Sequence, residues 1–280
     1  MISCIRRFIP ISLRRFIRRI YYFPVDCVDL LLGKRNRMVP PKGLISIYQS
    51  LDHFEEIGNT LLKYFIELGG LKPDDKFLDV GSGIGRIAIP LTRYLNERGR
   101  YEGFDIDKIG INWCKTKISS KYPNFHFQLF DVYNRTYNPK GRIKSNELIF
   151  PYENESFDLV SVISVFTHML PNDVEHYFSE ISRVLKKYGK CLITFFLLNK
   201  ESRKLLEQEK GVLNFKHDYG YYSTIDQYFP EDAIAYGEAF VFNLYEKNGL
   251  RIEFPVHYGK WCERSSFLWV QDIIIASKTD

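Results

Sequence analysis

Apolar residues change their spacing along the chain in a regular way. From residue 76 onward, short apolar runs alternate with stretches in which apolar side chains recur every three or four positions. The runs predict strands at 76–80, 101–104, 125–129, 157–163 and 190–196. The stretches between them predict helices at 86–96, 107–119 and 173–186. Strands that alternate with helices in this way form a parallel sheet covered by helices on both faces.

The end of the chain departs from this alternation. After a predicted helix at 236–247, strands at 251–257 and 268–276 follow with no room for a helix between them. Two strands joined so closely must pair antiparallel. The predicted fold class is therefore α/β, with a Rossmann-like doubly wound sheet that is mainly parallel and carries an antiparallel C-terminal strand pair.

An N-terminal arm at 1–50 precedes the predicted domain at 51–280, whose first helix is expected at 51–68. Six arginines and no acidic residue lie within residues 1–25, and removing these six from the 39 basic residues leaves 33 against 34 acidic ones, or −1. Apolar residues recur between the arginines at helical spacing, from a cap at Ser12 to about Tyr22. Such a helix can make peripheral membrane contact through residues 1–25, or it can pack on the domain itself. Both interpretations stay open.

Cysteine content and charge restrict the class of protein. The five cysteines are scattered and form no Cys-x-x-Cys pair, so we expect neither a disulfide framework nor a metal site. That usage is typical of a reducing compartment, and a cytoplasmic protein is expected, with peripheral membrane contact through the arm as the alternative. Because the basic residues in excess lie in the arm and the body is neutral, no nucleic-acid partner is expected.

Residues suited to nucleotide binding end the first three strands. The first strand turns into a helix through Asp-Val-Gly-Ser-Gly-Ile-Gly at 79–85, where glycines at alternate positions let the backbone approach a ligand. A nicotinamide-binding turn would instead need glycine where Arg86 stands. Asp105 ends the second strand, where a carboxylate can accept hydrogen bonds from ribose hydroxyls. Asp131 ends the third strand, suited to an adenine amino group, with Val132 beside the base.

Taken in order, these segments are similar to the successive motifs of class I S-adenosylmethionine-dependent methyltransferases. The similarity runs from about residue 56 to 197 and includes Ser-Val-Phe-Thr-His-Met at 164–169, which resembles the bacterial small-molecule or glycan-type branch. It implies S-adenosylmethionine as cofactor, with the glycine turn holding the methionine portion, Asp105 the ribose and Asp131 the adenine. The expected cofactor-binding residues are Asp79, Gly81, Ser82, Gly83, Gly85, Asp105, Ile106, Asp131, Val132 and Ser164.

The general base is harder to recognise. His168 follows the fourth strand, and His217 lies in a tyrosine-rich insertion at 199–235 that is expected to cover the acceptor as a lid. Each is a catalytic candidate, and each can instead be a structural histidine. The resemblance implies methyl transfer to a hydroxyl or amine of a small-molecule, glycan-like or lipid-linked acceptor. A non-catalytic protein that binds S-adenosylmethionine as a regulator or scaffold is the alternative, because no base is evident.

Overall fold

The computed structural model describes residues 11–34, 36–45, 53–135, 137–208 and 213–279. Its helices are α1 (Ile11–Leu31), α2 (Phe54–Glu67), α3 (Ala88–Leu91), α4 (Lys108–Cys114), α5 (Pro171–Val184), α6 (Lys200–Leu206) and α7 (Glu238–Lys247). The strands up to the insertion are β1 (Lys76–Val80), β2 (Arg100–Asp105), β3 (Phe125–Leu129), β4 (Phe157–Val162) and β5 (Leu185–Phe195). The remaining strands are β6 (Leu197–Leu198), β7 (His217–Asp218), β8 (Tyr222–Thr224), β9 (Ile234–Gly237), β10 (Leu250–Ile252) and β11 (Asp272–Lys278).

The main sheet has the strand order β10-β11-β5-β4-β1-β2-β3. Strands β1 to β5 are parallel to one another, whereas β11 runs antiparallel to both β5 and β10. The predicted mainly parallel sheet with an antiparallel C-terminal pair is therefore confirmed. Because β1, β2 and β4 are adjacent and parallel, their carboxyl ends meet at one edge, where ligands of open α/β sheets bind.

Several element boundaries differ from those predicted. Strand β10 ends at Ile252 because Pro255 has no N–H to extend the ladder, and β11 continues to Lys278. The helix predicted at 86–96 is regular only over Ala88–Leu91. The helix predicted at 107–119 changes after Cys114 into a π-helical turn. Proline and local helix irregularity thus shorten elements whose position and type the sequence predicts.

Aromatic side chains fill one face of the central sheet. Phe77 on β1, Tyr101 on β2 and Phe125 on β3 form a continuous stack, with ring centroids 5.9 and 5.1 Å apart. Phe65 of α2 meets Phe77 edge to face at 5.0 Å. Strand neighbours in register present side chains on the same face, so these rings lock α2 onto the parallel strands.

The described residues of the arm continue into the folded body. Helix α1 extends nine residues beyond the predicted end at Tyr22, and Met38, Val39 and Ile45 are buried in the core that packs against α4. The Trp113 indole N–H of α4 donates to the Met38 carbonyl at 3.3 Å. The arginines at 6 and 7 and the predicted helix start at 51 lie outside the described residues.

The insertion forms a second sheet with the order β6-β9-β8-β7 and its own small core, which includes Phe196, Phe215 and Trp261. The buried Asp272 carboxylate joins this unit to the main sheet, because it accepts hydrogen bonds from the Leu197 N–H at 2.6 Å and the Trp261 indole at 2.7 Å. The buried Arg264 guanidinium donates to the same carboxylate at 3.1 Å and to the exposed Glu201 at 2.9 Å. One fully buried acid therefore holds two sheets together.

Replacing Asp272 by alanine should lower the free energy of unfolding by about 3 to 5 kcal/mol, because Arg264 stays buried without its buried counter-charge. Glu201→Ala removes the exposed partner of the same arginine and should cost about 1 kcal/mol or less. Urea unfolding followed by circular dichroism measures both. Equal losses for the two variants would show that the buried pair does not hold the sheets together.

Candidate functional site

The site is built around the fully buried carboxylate of Asp79 on β1, which lies between β4 and β2 in the sheet. It accepts hydrogen bonds from the Tyr101 hydroxyl of β2 at 2.7 Å and the Ser161 hydroxyl of β4 at 3.0 Å. Burial raises the pKa of Asp79 to about 6, although both hydroxyl donors oppose this. Gly103, its register partner, leaves room for Tyr101, since a Cβ there would lie 2.7 Å from the Tyr101 hydroxyl. Asp79 thus ties three strands together just before the glycine turn.

The glycine turn follows directly and leaves open space above itself. Gly81, Gly83 and Gly85 have φ values of +82°, +55° and +83°, a conformation that favours glycine. A Cβ on Gly81 would lie 2.3 Å from Val165, whereas one on Gly83 would meet no atom within 4 Å. The space at Gly83 is where a bound ligand can approach the backbone. The Ser82 hydroxyl beside it is buried and has no hydrogen-bond partner among the described residues.

Asp105 fixes the turn at the end of β2. Its Oδ2 accepts from the Gly83 N–H at 2.7 Å and its Oδ1 from the Asp107 N–H at 2.7 Å. Each carboxylate oxygen has a second lone pair, so the residue can also accept from two vicinal hydroxyls. Burial raises the pKa of Asp105, and the two backbone donors oppose the shift. Ile106 packs half-buried on the core beside it.

Asp131 and Val132 lie in different environments after β3. The Asp131 carboxylate is exposed and accepts a hydrogen bond from Arg142 Nε at 2.6 Å, which lowers the pKa of the acid. Val132 is buried in the core. The structure therefore brings Asp131 to the expected edge but pairs it with an arginine, and its adenine contact remains a prediction.

Ser164 stands where β4 leaves the sheet, opposite the glycine turn. Its φ of +58° is unusual for a residue with a side chain and is held by two contacts. The Ser164 N–H donates to the Thr194 hydroxyl at 2.8 Å, and its own hydroxyl donates to Gln271 at 2.9 Å. Backbone strain supported in this way is typical of binding sites.

His168 connects the end of β4 to the insertion. Its Nδ1 lies 2.9 Å from the Glu231 carbonyl oxygen, which can only accept, so Nδ1 carries the proton and the neutral ring has its lone pair on Nε2. Burial lowers the pKa of His168, although neighbouring backbone carbonyls oppose the shift. The imidazole is therefore neutral at pH 7. His217, by contrast, lies on β7, the strand of the second sheet farthest from β6. The structure thus places only His168 next to the end of β4.

A cleft of about 570 Å³ is lined by Glu231, whose carbonyl contacts His168, and by Leu170, two residues after it. Its wall combines aromatic, cationic and acidic side chains, among them Tyr133, Arg135, Lys144, Asp173, Tyr222 and Glu231. Burial raises the pKa of both Asp173 and Glu231. A pocket with aromatic walls and acids of shifted pKa is suited to bind a small molecule and to move a proton.

The loop after β3 holds the insertion over this cleft through hydrogen bonds and a cation–π contact. Arg135 donates to the Tyr228 carbonyl at 2.7 Å, and its guanidinium lies over the Phe229 ring at 4.4 Å. The Asn134 amide donates to the Glu231 carboxylate at 3.2 Å. Together with His168, these contacts hold the insertion against the carboxyl edge of the sheet.

The arrangement fits S-adenosylmethionine on three counts. The open space at Gly83, the buried unpaired Ser82 hydroxyl and the carboxylate of Asp105 offer a backbone cradle, a hydrogen-bonding group and a diol acceptor at one edge. Residues 78–193 match the family described as "Methyltransferase domain". This segment, about two fifths of the chain, is an S-adenosylmethionine-dependent methyltransferase domain.

Two curated relatives are similar to this methyltransferase in sequence. The 2-phytyl-1,4-naphtoquinone methyltransferase of Trichormus variabilis is 24% identical over 152 residues, covering 54% of this chain and 60% of that protein. The ubiquinone/menaquinone biosynthesis C-methyltransferase UbiE of Wigglesworthia glossinidia brevipalpis is 24% identical over 173 residues, covering 59% and 61%. The chain therefore spans about three fifths of the length of each relative.

A solved structure supports the fold. The PH0226 protein of Pyrococcus horikoshii OT3 superimposes with a TM-score of 0.57 at 19% identity, covering 84% of this chain and 94% of that one. At this identity the likeness concerns the fold alone.

Sequence reasoning missed several residues that shape the methyltransferase site. Tyr101 and Ser161 hold Asp79, and their role depends on register between strands far apart in sequence. Gly110 of α4 lets the helix contact the glycine turn, since a Cβ there would lie 2.5 Å from the Gly83 carbonyl oxygen. A glycine inside a predicted helix is the one signal that could have identified it.

Asp105→Ala should weaken binding of the demethylated cofactor, S-adenosylhomocysteine, by about 1 to 3 kcal/mol, because charge-assisted hydrogen bonds to the ribose are lost. Isothermal titration calorimetry measures the affinity. Asp107→Ala is the matched control, since its carboxylate caps α4 by accepting from the Ile109 N–H. Unchanged affinity in Asp105→Ala would show that the ribose assignment is wrong.

Proposed function

We propose that the protein transfers the methyl group of S-adenosylmethionine to the hydroxyl of a small aromatic acceptor bound in the cleft. The bound cofactor supplies a methyl group on a positively charged sulfur. The acceptor oxygen forms a bond to the methyl carbon as the carbon–sulfur bond breaks, and the hydroxyl proton passes to a base of the protein. S-adenosylhomocysteine leaves as a neutral thioether.

The observation that carries this proposal is the position of His168 between the carboxyl end of β4 and the cleft. His168 contacts Glu231, a residue of the cleft wall, and lies two residues before Leu170, which also lines it. The neutral ring, with its lone pair on Nε2, is ready to accept a proton from a hydroxyl. A base held by a backbone carbonyl keeps one tautomer, which aids orientation during an in-line displacement.

The lining of the cleft favours an aromatic acceptor over a sugar. Tyr133 and Tyr221 are 44% and 48% exposed, so they offer ring faces that a planar acceptor can cover. Lys144 lies in the same wall and can stabilise the negative charge that develops on a phenolic oxygen. The two curated relatives carry names that specify quinone substrates, which supports an aromatic ring for this chain.

The proposal is tested with methyl-labelled S-adenosylmethionine and a panel of dihydroxynaphthalenes, monosaccharides and amines, followed by mass spectrometry and NMR of the product. Methylation of an aromatic hydroxyl is the expected result. Methylation of a ring carbon would show that the acceptor atom is carbon and not oxygen, as the name of the UbiE relative specifies for that protein. Binding of the cofactor without turnover of any class would favour the non-catalytic regulator or scaffold.

His168→Asn should lower kcat about 100-fold or more, because the asparagine amide can still donate to the Glu231 carbonyl but cannot accept a proton. In the wild type, burial depresses the pKa of His168 below its usual 6.5, so the rate should fall only as pH drops through that lowered pKa. This fall of the rate at low pH should be absent in His168→Asn. Initial rates measured between about pH 5 and pH 8 test this expectation.

Two further variants separate the candidate bases. His217→Asn should change kcat by no more than a few-fold, since His217 lies on the outer strand of the second sheet and does not line the cleft. Asp173→Asn removes the carboxyl at the start of α5, whose pKa is raised by burial. A larger loss in either variant than in His168→Asn would transfer the role of base to that residue.

Arg135→Leu should loosen the insertion, because it removes the hydrogen bond to the Tyr228 carbonyl and the contact with Phe229. Hydrogen exchange should rise in amides of 226–232 and stay unchanged in β9. Lys144→Leu is the control, since Lys144 also lines the cleft but forms its ion pair with Glu147, three residues further along the chain. Equal exchange in both variants would show that Arg135 does not clamp the insertion.

A further inference from the structure

Helix α1 presents an apolar face that the described residues leave exposed. The helix has 21 residues, which at 1.5 Å per residue gives a length of about 32 Å. Its exposed large apolar side chains range from 42% exposed at Val25 to 85% at Leu31. At 100° per residue, six of these side chains fall within one sector of about 120° around the helix axis. They are Leu13, Phe16, Ile17, Ile20, Val28 and Leu31.

The opposite side of α1 is attached to the body. The buried Asp26 carboxylate accepts from the N–H groups of Lys42 at 2.7 Å and Gly43 at 3.2 Å, and Asp29 pairs with the Lys42 ammonium at 3.2 Å. Gly43 lies so close that a Cβ on it would be 2.7 Å from the Cα of Arg19. A surface helix ordinarily turns its apolar stripe inward and its polar side to water. Here polar contacts fix the helix with the stripe facing outward.

Charge indicates what the stripe contacts. The first half of α1 carries Arg14, Arg15, Arg18 and Arg19 and no acidic residue, while the two acids of the second half are engaged with Lys42 and its neighbour. Arginine side chains beside an apolar face complement a surface that is apolar inside and carries anionic phosphates outside. A second protein surface would need to match both the apolar stripe and the arginines.

Helix α1 carries six charged side chains in its 21 residues, four arginines and two aspartates. Within the described ranges, no helix combines the length and hydropathy that a membrane span requires. An amphipathic helix of this kind lies in the plane of the interface, with its apolar side chains among the acyl chains and its arginines at the headgroups. We infer that α1 binds the protein to the surface of an anionic phospholipid membrane. This inference does not depend on the proposed acceptor.

The test measures co-sedimentation of the full-length protein with vesicles of phosphatidylglycerol and phosphatidylcholine in equal parts, and with phosphatidylcholine alone. Binding should be strong on the anionic vesicles and should weaken between about 0.05 M and 0.5 M salt. Ile20→Ser should lower the partition coefficient roughly tenfold, because a buried apolar side chain is lost from the interface. Ile149→Ser is the matched control, since Ile149 is 71% exposed outside α1 and should leave partitioning unchanged.

Further measurements test whether the variants are folded and whether a second protein, not a membrane, covers the stripe. Calorimetric affinity for S-adenosylhomocysteine should be the same in all variants, and the Arg14→Gln, Arg19→Gln double variant should show a weaker salt dependence, because two of the four arginines of α1 are removed. Equal binding to both vesicle types, or equal partitioning of Ile20→Ser and wild type, would overturn the inference. Light scattering that shows a dimer broken by Ile20→Ser would overturn it as well, because a second copy would then cover the stripe.

Discussion

The hydrogen bonds of the buried Asp79 carboxylate are the constraint on which the site depends. They join β1 to Tyr101 on one neighbouring strand and to Ser161 on the other, at a point where no water competes. The glycine turn begins two residues later, Asp105 closes the neighbouring strand and Ser164 follows the other. A slip of either strand by one residue would reverse the faces of its side chains and separate these groups. The ligand edge therefore takes its geometry from an acid that itself faces away from solvent.

A second set of contacts defines the acceptor side. His168, Asn134 and Arg135 all bond to residues 228–231 of the insertion, so the wall of the cleft and the end of β4 form one connected unit. The cofactor edge and the acceptor cleft thus rest on different supports. The first is held by strand register, and the second by side chains that reach across more than 60 residues of sequence.

The sequence predicted the parts of the structure that depend on local patterns. Strands at 76–80 and 125–129 have the predicted bounds, since each is a short apolar run with polar flanks. The position of Asp105 at a strand end followed from the same pattern. The strands of the insertion could not be predicted in this way. They are two to four residues long, and β6 depends on pairing with the distant β9.

Helix α1 and His168 illustrate the same limit. The helix was expected to end near Tyr22, yet it continues to Leu31 with the exposed Pro24 inside it, where solvent can satisfy the carbonyl that loses its partner. The partner of His168 is a backbone carbonyl 63 residues away, which no spacing rule reveals. Tertiary contacts decide both cases.

The separate core of the insertion has a consequence for how such an enzyme can diversify. Phe196, Phe215 and Trp261 pack with one another in a core of their own, and the buried Asp272 carboxylate is one of its links to the main sheet. Changes of loop length or side chain within this unit can therefore accumulate without disturbing the strands that hold the methyl donor. Proteins that share the donor half can in this way come to accept different molecules.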